Sequence, residues 1–178
     1  TCACLAAARF QGGRLEGAPH FFSMLSSSCS RLFSCRRPAS CSSLSSIDLP
    51  AGLTAINNHA FRRCSALSSV TLPAGLTSIG MGALAHCSSI TTVTLPAGLT
   101  SIGPSAFHLC SSLTRVTFPA GLTFIGEAAF FRCSSLAHVT FPAGLTSIGD
   151  AAFYGCEALG SVTFPAGLTS IAEGTFSR

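Results

Sequence analysis

The sequence predicts an α/β solenoid, with short parallel strands on one face and short helical turns on the other. The first observation is a proline that recurs every 23 residues, at Pro50, Pro73, Pro96, Pro119, Pro142 and Pro165. The second is a cysteine with the same period, at Cys41, Cys64, Cys87, Cys110, Cys133 and Cys156. The third is composition, since 48% of the 178 residues are hydrophobic and 9% are charged. Repeats of this length cannot each enclose a core, so they must stack on one another.

The first part of each repeat is predicted to be a short strand. One unit, residues 113–135, reads LTRVTFPAGLTFIGEAAFFRCSS, and Val116 and Phe118 in it alternate with polar neighbours. A period of two is typical of a strand with one buried face. Pro119 ends the strand, because proline has no N–H for a further ladder bond.

The rest of each repeat is predicted to turn back and form a short helical segment. Ala120 and Gly121 turn the chain, and Leu122 and Ile125 point back into the core. N-cap residues are supplied by the column Asn57, Gly80, Gly103, Gly126 and Gly149. Cations that would complement a negative helix end follow two turns later, at Arg62, Arg63, His86, His108 and Arg132. We therefore expect residues 127–133 to be helical.

Two regions are expected along the chain. Residues 41–178 form the solenoid, with five full units and a truncated sixth. Residues 1–40 do not follow the period and are expected to be a cap, a linker or a disordered segment. They carry no recognisable leader, and the missing initiator Met suggests a fragment of a longer protein.

Composition also excludes several functions. The apolar stretches are interrupted by Ser, Thr, Gly and Pro, so this segment is expected to contain no membrane span. All ten basic residues are arginines; residues 1–40 have a net charge of +4, and residues 41–178 are neutral. A neutral body argues against nucleic acid as a partner, because phosphate binding needs clustered cations. Segments of the type GLTSIG lack the Lys and Ser/Thr of a phosphate loop, and no cofactor is expected.

The cysteine column is predicted to fill a buried slot, where Cys behaves as a small hydrophobic residue. Stacked columns point their Cβ atoms in the same direction, which disfavours disulfides between repeats. The spacing of Cys29, Cys35 and Cys41 matches no zinc signature, and no metal site is expected. The five histidines occupy different columns without a nucleophile that can be placed beside them, so no catalytic residue is assigned and no enzyme is predicted.

The repeat pattern LxxVxFPxxLxxIGxxAFxxC resembles the leucine-rich repeats of the BspA-like type. The resemblance covers about residues 41–178, with mild departures at Leu84, Ile90 and Ala172. It implies a curved leucine-rich-repeat solenoid that carries short helical turns behind its strands. Family members include adhesins that bind host or matrix proteins, so the resemblance also implies a cell-surface or extracellular location.

The outward face of the strands is the predicted binding surface. The candidate partner-binding residues are Ser69, Thr71, Thr92, Thr94, Arg115, Thr117, His138, Thr140, Ser161 and Thr163. Arg115 and His138 are expected on adjacent strands of this hydroxyl-rich face. The resulting hypothesis is a non-enzymatic scaffold that binds a protein or glycan, with a cell-adhesive role. The alternative is a passive spacer inside a larger multidomain protein whose activity lies elsewhere.

Overall fold

Each repeat contributes two short strands, and each strand pairs with its equivalent in the neighbouring repeats. The computed structural model describes residues 9–11, 14–16 and 42–177. Its strands are β1 (Arg9–Gln11), β2 (Arg14–Glu16), β3 (Ser46–Asp48), β4 (Ala55–Ile56), β5 (Ser69–Thr71), β6 (Ser78–Ile79), β7 (Thr92–Thr94), β8 (Ser101–Ile102), β9 (Arg115–Thr117), β10 (Phe124–Ile125), β11 (His138–Thr140), β12 (Ser147–Ile148), β13 (Ser161–Thr163) and β14 (Ser170–Ile171). The repeats therefore form a parallel-strand solenoid, as the sequence predicts.

The first strands of the repeats lie side by side and form the face that the sequence identifies. β7, β9, β11 and β13 make one parallel sheet in that spatial order. β3 and β5 belong to a second sheet, which β2 and β1 continue. Among the described strands, β1 and β2 pair antiparallel and the other pairs are parallel. Of residues 1–40, the structure describes these two strands, and the rest of that segment lies outside the described residues.

A separate six-stranded sheet was not anticipated. It is built from the two-residue strands β4, β6, β8, β10, β12 and β14, all parallel and in register. Ile125 of β10 is fully buried, as expected, and pairs with Ile102 and Ile148. A strand of two residues is too short for an alternating pattern to be recognised, because such a pattern needs at least four positions.

The segment 127–133, which we expected to be helical, is a succession of tight turns, and the prediction is wrong. The described part of the chain contains no helix. Ala128 and Arg132 have φ angles of 51° and 54°, which an α-helix cannot include. Their N–H groups donate to the carbonyl oxygens of Asp150 and Tyr154 in the next repeat, at 2.8 and 2.7 Å. The backbone is thus satisfied by the neighbouring repeat, which overrides the local helix propensity.

Glycine occupies this column for a reason other than the predicted N-cap role. A Cβ atom on Gly126 would stand 2.6 Å from the backbone nitrogen of Pro104, and one on Gly103 would stand 2.7 Å from the carbonyl oxygen of Ile79. Glycine is required because successive turns approach closely through their backbones. Ala172 replaces this glycine in the last repeat, and its N–H lies 3.4 Å from the carbonyl oxygen of Ile148. The equivalent bonds of Gly80, Gly103, Gly126 and Gly149 measure 2.8 to 2.9 Å.

The predicted inward columns form one continuous core. Leu113, Val116, Leu122, Ile125 and Cys133 are all buried. Aromatic rings extend this core in the later repeats, where Phe107, Phe130, Phe153 and Phe176 stack with centroid distances of 5.1, 5.1 and 5.4 Å. A second row, Phe118, Phe141 and Phe164, meets the first edge to face. Offset and edge contacts of this kind add stability beyond the buried area.

From Cys64 to Cys156 the cysteine column is buried as predicted, whereas Cys41 lies outside the described residues. The buried thiols also have a structural role that the sequence did not indicate. The Sγ atoms of Cys110, Cys133 and Cys156 donate to carbonyl oxygens of Leu84, Phe107 and Phe130 in the preceding repeat, at 3.2 to 3.3 Å. Burial raises the pKa of Cys156 to about 12 and raises that of Cys110 and Cys133 further. These thiols are protonated throughout the physiological pH range.

Thiol labelling is expected to depend on unfolding. A variant with serine at Cys2, Cys4, Cys29, Cys35 and Cys41 retains the five described thiols. On average, less than about one thiol per protein molecule should react with Ellman's reagent in native buffer near pH 8, because a buried neutral thiol is a poor nucleophile. All five should react in denaturant. Rapid native labelling of several thiols would contradict the assigned burial.

Candidate functional site

The side chains predicted to bind a partner point away from the core. In β7, β9 and β11 the outer residues are exposed and the central valine is buried. Ser69, Thr71, Ser161 and Thr163 are exposed as well. This arrangement follows from the pleat, because successive side chains of a strand leave opposite faces of a sheet. We call this surface the sheet face.

The structure brings together eight of the ten predicted residues. Thr92, Thr94, Arg115, Thr117, His138, Thr140, Ser161 and Thr163 belong to the continuous sheet β7–β9–β11–β13. Ser69 and Thr71 lie in β5, which pairs with β3 in the other sheet. The strand pairing is therefore interrupted between the second and third repeats, although β5 still lies in contact with β7.

Arg115 and His138 are neighbours, as the repeat register predicts. They are direct partners across β9 and β11, and Arg115 faces Thr92 on its other side. A positive guanidinium and an imidazole thus stand side by side on an otherwise hydroxyl-bearing surface.

One expectation about His138 is corrected. The sequence placed no serine beside a histidine, but Nδ1 of His138 lies 3.1 Å from Oγ of Ser161 on the adjacent strand. The pair arises because His138 and Ser161 are register partners one repeat apart. Both residues are exposed on an open strand surface. Ser161 also borders an open cavity of about 320 Å³ that is lined mainly by apolar side chains, among them Phe153, Phe164 and Phe176.

The hydroxyl groups of the two sheets differ in their hydrogen bonding. Before the second strands, the hydroxyls of Thr100, Thr123 and Thr146 donate to the carbonyl of the preceding threonine in the column, at 3.0 to 3.3 Å. For Thr117 and Thr140 of the sheet face, the described residues supply no such bond. The hydroxyls of Thr117 and Thr140 are therefore left to bond with solvent or a partner.

An exposed aromatic residue on the second face was not identified from the sequence. Phe124 of β10 is 41% exposed and lies between Ser101 and Ser147. The repeat comparison could have shown it, because the same column is otherwise alanine or serine.

Two histidines on the turn side of the solenoid pack against each other and against aromatic rings. The rings of His86 and His108 lie 5.6 Å apart, and His108 stacks on Phe131 at 4.8 Å. The column continues with Tyr154, stacked on Phe131 at 5.0 Å. Arg132 also lies over the Phe131 ring, at 5.6 Å.

The surroundings of these two rings lower their basicity. Burial, followed by the charges of Arg63 and Arg62, lowers the pKa of His86 below 6.5. Burial, then His86, Arg62 and Arg132, lowers the pKa of His108 below the same value. Both rings are therefore largely neutral at pH 7 and become charged on acidification.

Two further features concern possible metal ligands and membrane-crossing helices among the described residues. Within residues 9–11, 14–16 and 42–177, no three His, Cys, Asp or Glu side chains lie close enough together to hold a metal ion. Over the same ranges there is no helix of the length and hydrophobicity needed to cross a bilayer.

Comparison with known proteins agrees with the repeat architecture. The family model described as the BspA type leucine rich repeat region (6 copies) matches residues 39–148 and 128–178. No match was found among curated proteins.

Three solved bacterial structures are similar to this chain. The leucine rich repeat protein of T. pallidum (TpLRR) is 37% identical, with a TM-score of 0.67 over 69% of this chain and 60% of that one. A leucine-rich repeat protein from Bacteroides ovatus is 34% identical, with a TM-score of 0.71 over 74% of this chain and 34% of that one. A leucine rich cell surface protein from Faecalibacterium prausnitzii is 33% identical, with a TM-score of 0.51 over 67% and 38% of the two chains.

The chain spans less than two thirds of each of these three proteins. The similarity nevertheless extends over most of the repeats, and the family match covers both the early and the late copies. The chain belongs to the BspA-type leucine-rich repeat family.

Proposed function

We propose that the chain is a non-enzymatic scaffold that binds a protein partner through the sheet face. The observation that carries this proposal is the register that sets Thr92, Arg115 and His138 side by side, all exposed. Arginine is enriched where proteins bind one another, and its planar guanidinium can make several directed hydrogen bonds. The rest of the face offers threonine hydroxyls that the described protein atoms leave unbonded.

The arrangement favours binding over catalysis. The pair His138 and Ser161 is exposed on a strand surface, and the cavity of about 320 Å³ that Ser161 borders is lined mainly by apolar side chains. Catalysis of group transfer generally needs a desolvated site with positioned charge-stabilising groups. A flat, repeated surface instead offers many weak contacts that add up over a large partner.

An adhesive role at the cell surface is the finer form of this proposal. The F. prausnitzii structure, 33% identical, is described as a cell surface protein. Binding of a matrix protein by several repeats would suit such a location. The alternative of a passive spacer predicts no specific contacts on the sheet face.

Photocrosslinking tests the binding face. A photoreactive amino acid at Thr117, on the sheet face, should give adducts with protein from a solubilised extracellular matrix. The same amino acid at Thr123, before the second strand, should give none. Adducts from neither position would favour the spacer interpretation.

Substitutions then measure the contribution of the two central residues. Arg115→Ala and His138→Ala should each weaken binding of the captured partner by about tenfold, because each removes a directed contact at the centre of the surface. Arg132→Ala removes the same charge on the turn side and should leave the dissociation constant unchanged. Equal effects of Arg115→Ala and Arg132→Ala would exclude the sheet face as the site.

A further inference from the structure

We propose that the turn side of the first three repeats binds an acidic polysaccharide through a cationic patch formed by Arg62, Arg63, His86 and His108. This surface is separate from the sheet face, and the inference does not depend on the function proposed for that face.

The four residues form a line along the solenoid. Arg62 and Arg63 lie in the first repeat, His86 in the second and His108 in the third, so each step is one strand spacing, about 4.8 Å. The arginines are exposed, the histidines are partly exposed, and the two imidazole rings lie 5.6 Å apart. The patch therefore presents two arginine cations in the first repeat and, in each of the next two repeats, an imidazole that becomes cationic when it is protonated.

The turn segments of the first three repeats contain no acidic residue, whereas those of the last three repeats do. The column at the start of each turn segment is uncharged in the first three repeats, at Asn58, Met81 and Pro104. It is acidic in the last three, at Glu127, Asp150 and Glu173. The groups whose charges act on His86 are Arg63 and Arg62, and those that act on His108 are His86, Arg62 and Arg132; none of them is acidic. The patch thus attracts anions.

The fold does not require arginine or histidine at the positions that form the cationic patch. The columns that hold Arg62 and Arg63 contain Ala85 and Gly155 in other repeats. Arg63 and His86 have φ angles of 64° and 63°, a conformation that Gly155 adopts without a Cβ atom. A left-handed backbone at a residue other than glycine disfavours the folded state, and so does repulsion between neighbouring like charges. Because the segment is not a helix, these cations also gain nothing from a helix dipole. Binding of an anionic ligand would explain why cationic side chains occupy these positions.

The spacing and the neighbouring groups favour a polysaccharide. Carboxylates on one face of an extended peptide recur every two residues, or about 6.6 Å. This distance does not match the spacing of about 4.8 Å between successive repeats of the solenoid. Successive sugars of an extended polysaccharide recur at close to the strand spacing, and the sugars on one face of the chain recur at close to twice that spacing, so both stay in step with the solenoid. Hydroxyl groups of Ser65, Ser88 and Ser111 follow two or three residues after the cations and can bond to sugar hydroxyls. Single-stranded nucleic acid needs free aromatic faces, but His108 is stacked on Phe131.

Acidification should strengthen binding. Burial and neighbouring cations lower the pKa values of His86 and His108, so the rings are mostly neutral at pH 7 and gain protons below it. Their protonation raises the charge of the patch as the pH falls. Since the unfolded chain protonates at the ordinary value of 6.5, the same groups reduce folding stability on acidification, and a bound polyanion offsets that loss.

The test uses the full 178-residue chain and a heparin oligosaccharide as the probe, at physiological ionic strength. The double variant Arg62→Ala with Arg63→Gly introduces residues that the same columns already accept at Ala85 and Gly155. Its affinity for heparin should fall by at least about tenfold, because two cationic contacts are lost. Arg115→Ala removes a charge from the sheet face and should change the affinity by less than about twofold.

A second variant separates the histidines from general electrostatics. Wild-type affinity for heparin should rise by about tenfold between about pH 7.5 and about pH 5.5. His86→Gly with His108→Ala should remove most of that rise and leave the affinity at pH 7.5 nearly unchanged. Melting curves verify that each variant folds.

Three outcomes would overturn the proposal. Undiminished binding by the arginine variant would assign heparin binding to the arginines of residues 1–40. A pH response that survives the histidine replacements would exclude the two rings. Equal affinity for a single-stranded DNA oligonucleotide of matched charge would show a general polyanion surface and not one for acidic polysaccharides.

Discussion

Ile125→Asp is expected to destabilise the solenoid by about 4–5 kcal/mol, the largest effect of any change considered for this protein. Ile125 is fully buried in β10, between Ile102 and Ile148 of the neighbouring strands. An aspartate there has no cation within the apolar core to pair with. It must either remain charged without water or bind a proton at a high cost in free energy.

The damage should spread beyond one repeat. Each repeat is stabilised mainly by its two neighbours, so a local defect in β10 weakens the contacts on both sides. Chemical denaturation followed by circular dichroism measures the loss, and a shallower transition would indicate that the repeats no longer unfold together. Val116→Asp should behave similarly, because Val116 is 6% exposed in β9.

Thr117→Val is the matched control for these variants. Thr117 is exposed on the sheet face next to Val116. Valine has a similar shape and a high strand propensity, so the unfolding free energy should change by less than about 0.5 kcal/mol. An aspartate variant as stable as Thr117→Val would show that the inward assignment of these columns is wrong.

Phe130→Ala is expected to cost about 3–5 kcal/mol. The Phe130 ring is fully buried and stacks on Phe107 and Phe153, each at 5.1 Å. It also receives the edge of Phe118 at 5.7 Å. Truncation removes these ring contacts and leaves a cavity inside a row of stiff rings, which cannot close around it easily.

Phe124→Ala provides the comparison, because it removes the same side chain from the surface. Phe124 is 41% exposed, so its loss should change the unfolding free energy by about 1 kcal/mol or less. Thermal and denaturant unfolding of both variants tests the difference. Similar destabilisation by the two substitutions would mean that the central phenylalanine row does not dominate the core.

The architecture and the inward columns could be derived from the sequence because repetition supplies the same information six times. One apolar position can be accidental, but Val116 and Ile125 recur in every copy as apolar residues. The register follows as well, since identical repeats can stack in only one way that keeps every column aligned. That register is also what places Arg115 beside His138.

The turn segment shows where local reasoning fails. Ala128 and Arg132 have good helix propensity, yet both adopt positive φ values because their N–H groups bond to the next repeat. The close backbone approach at Gly126 has the same origin. Neither effect is visible within a single unit, because the bonding partner and the obstructing atom are 22 to 24 residues away.

The amino-acid sequence alone determined the period, the buried columns and the outward residues of the first strands. These depend on the pattern of apolar and polar residues, which a reader can compare between copies. Only the tertiary structure decided that the turns are not helices, that a second sheet exists and that His138 meets Ser161. These features depend on hydrogen bonds between repeats, and such bonds form only when the stacked chains lie at their final separation.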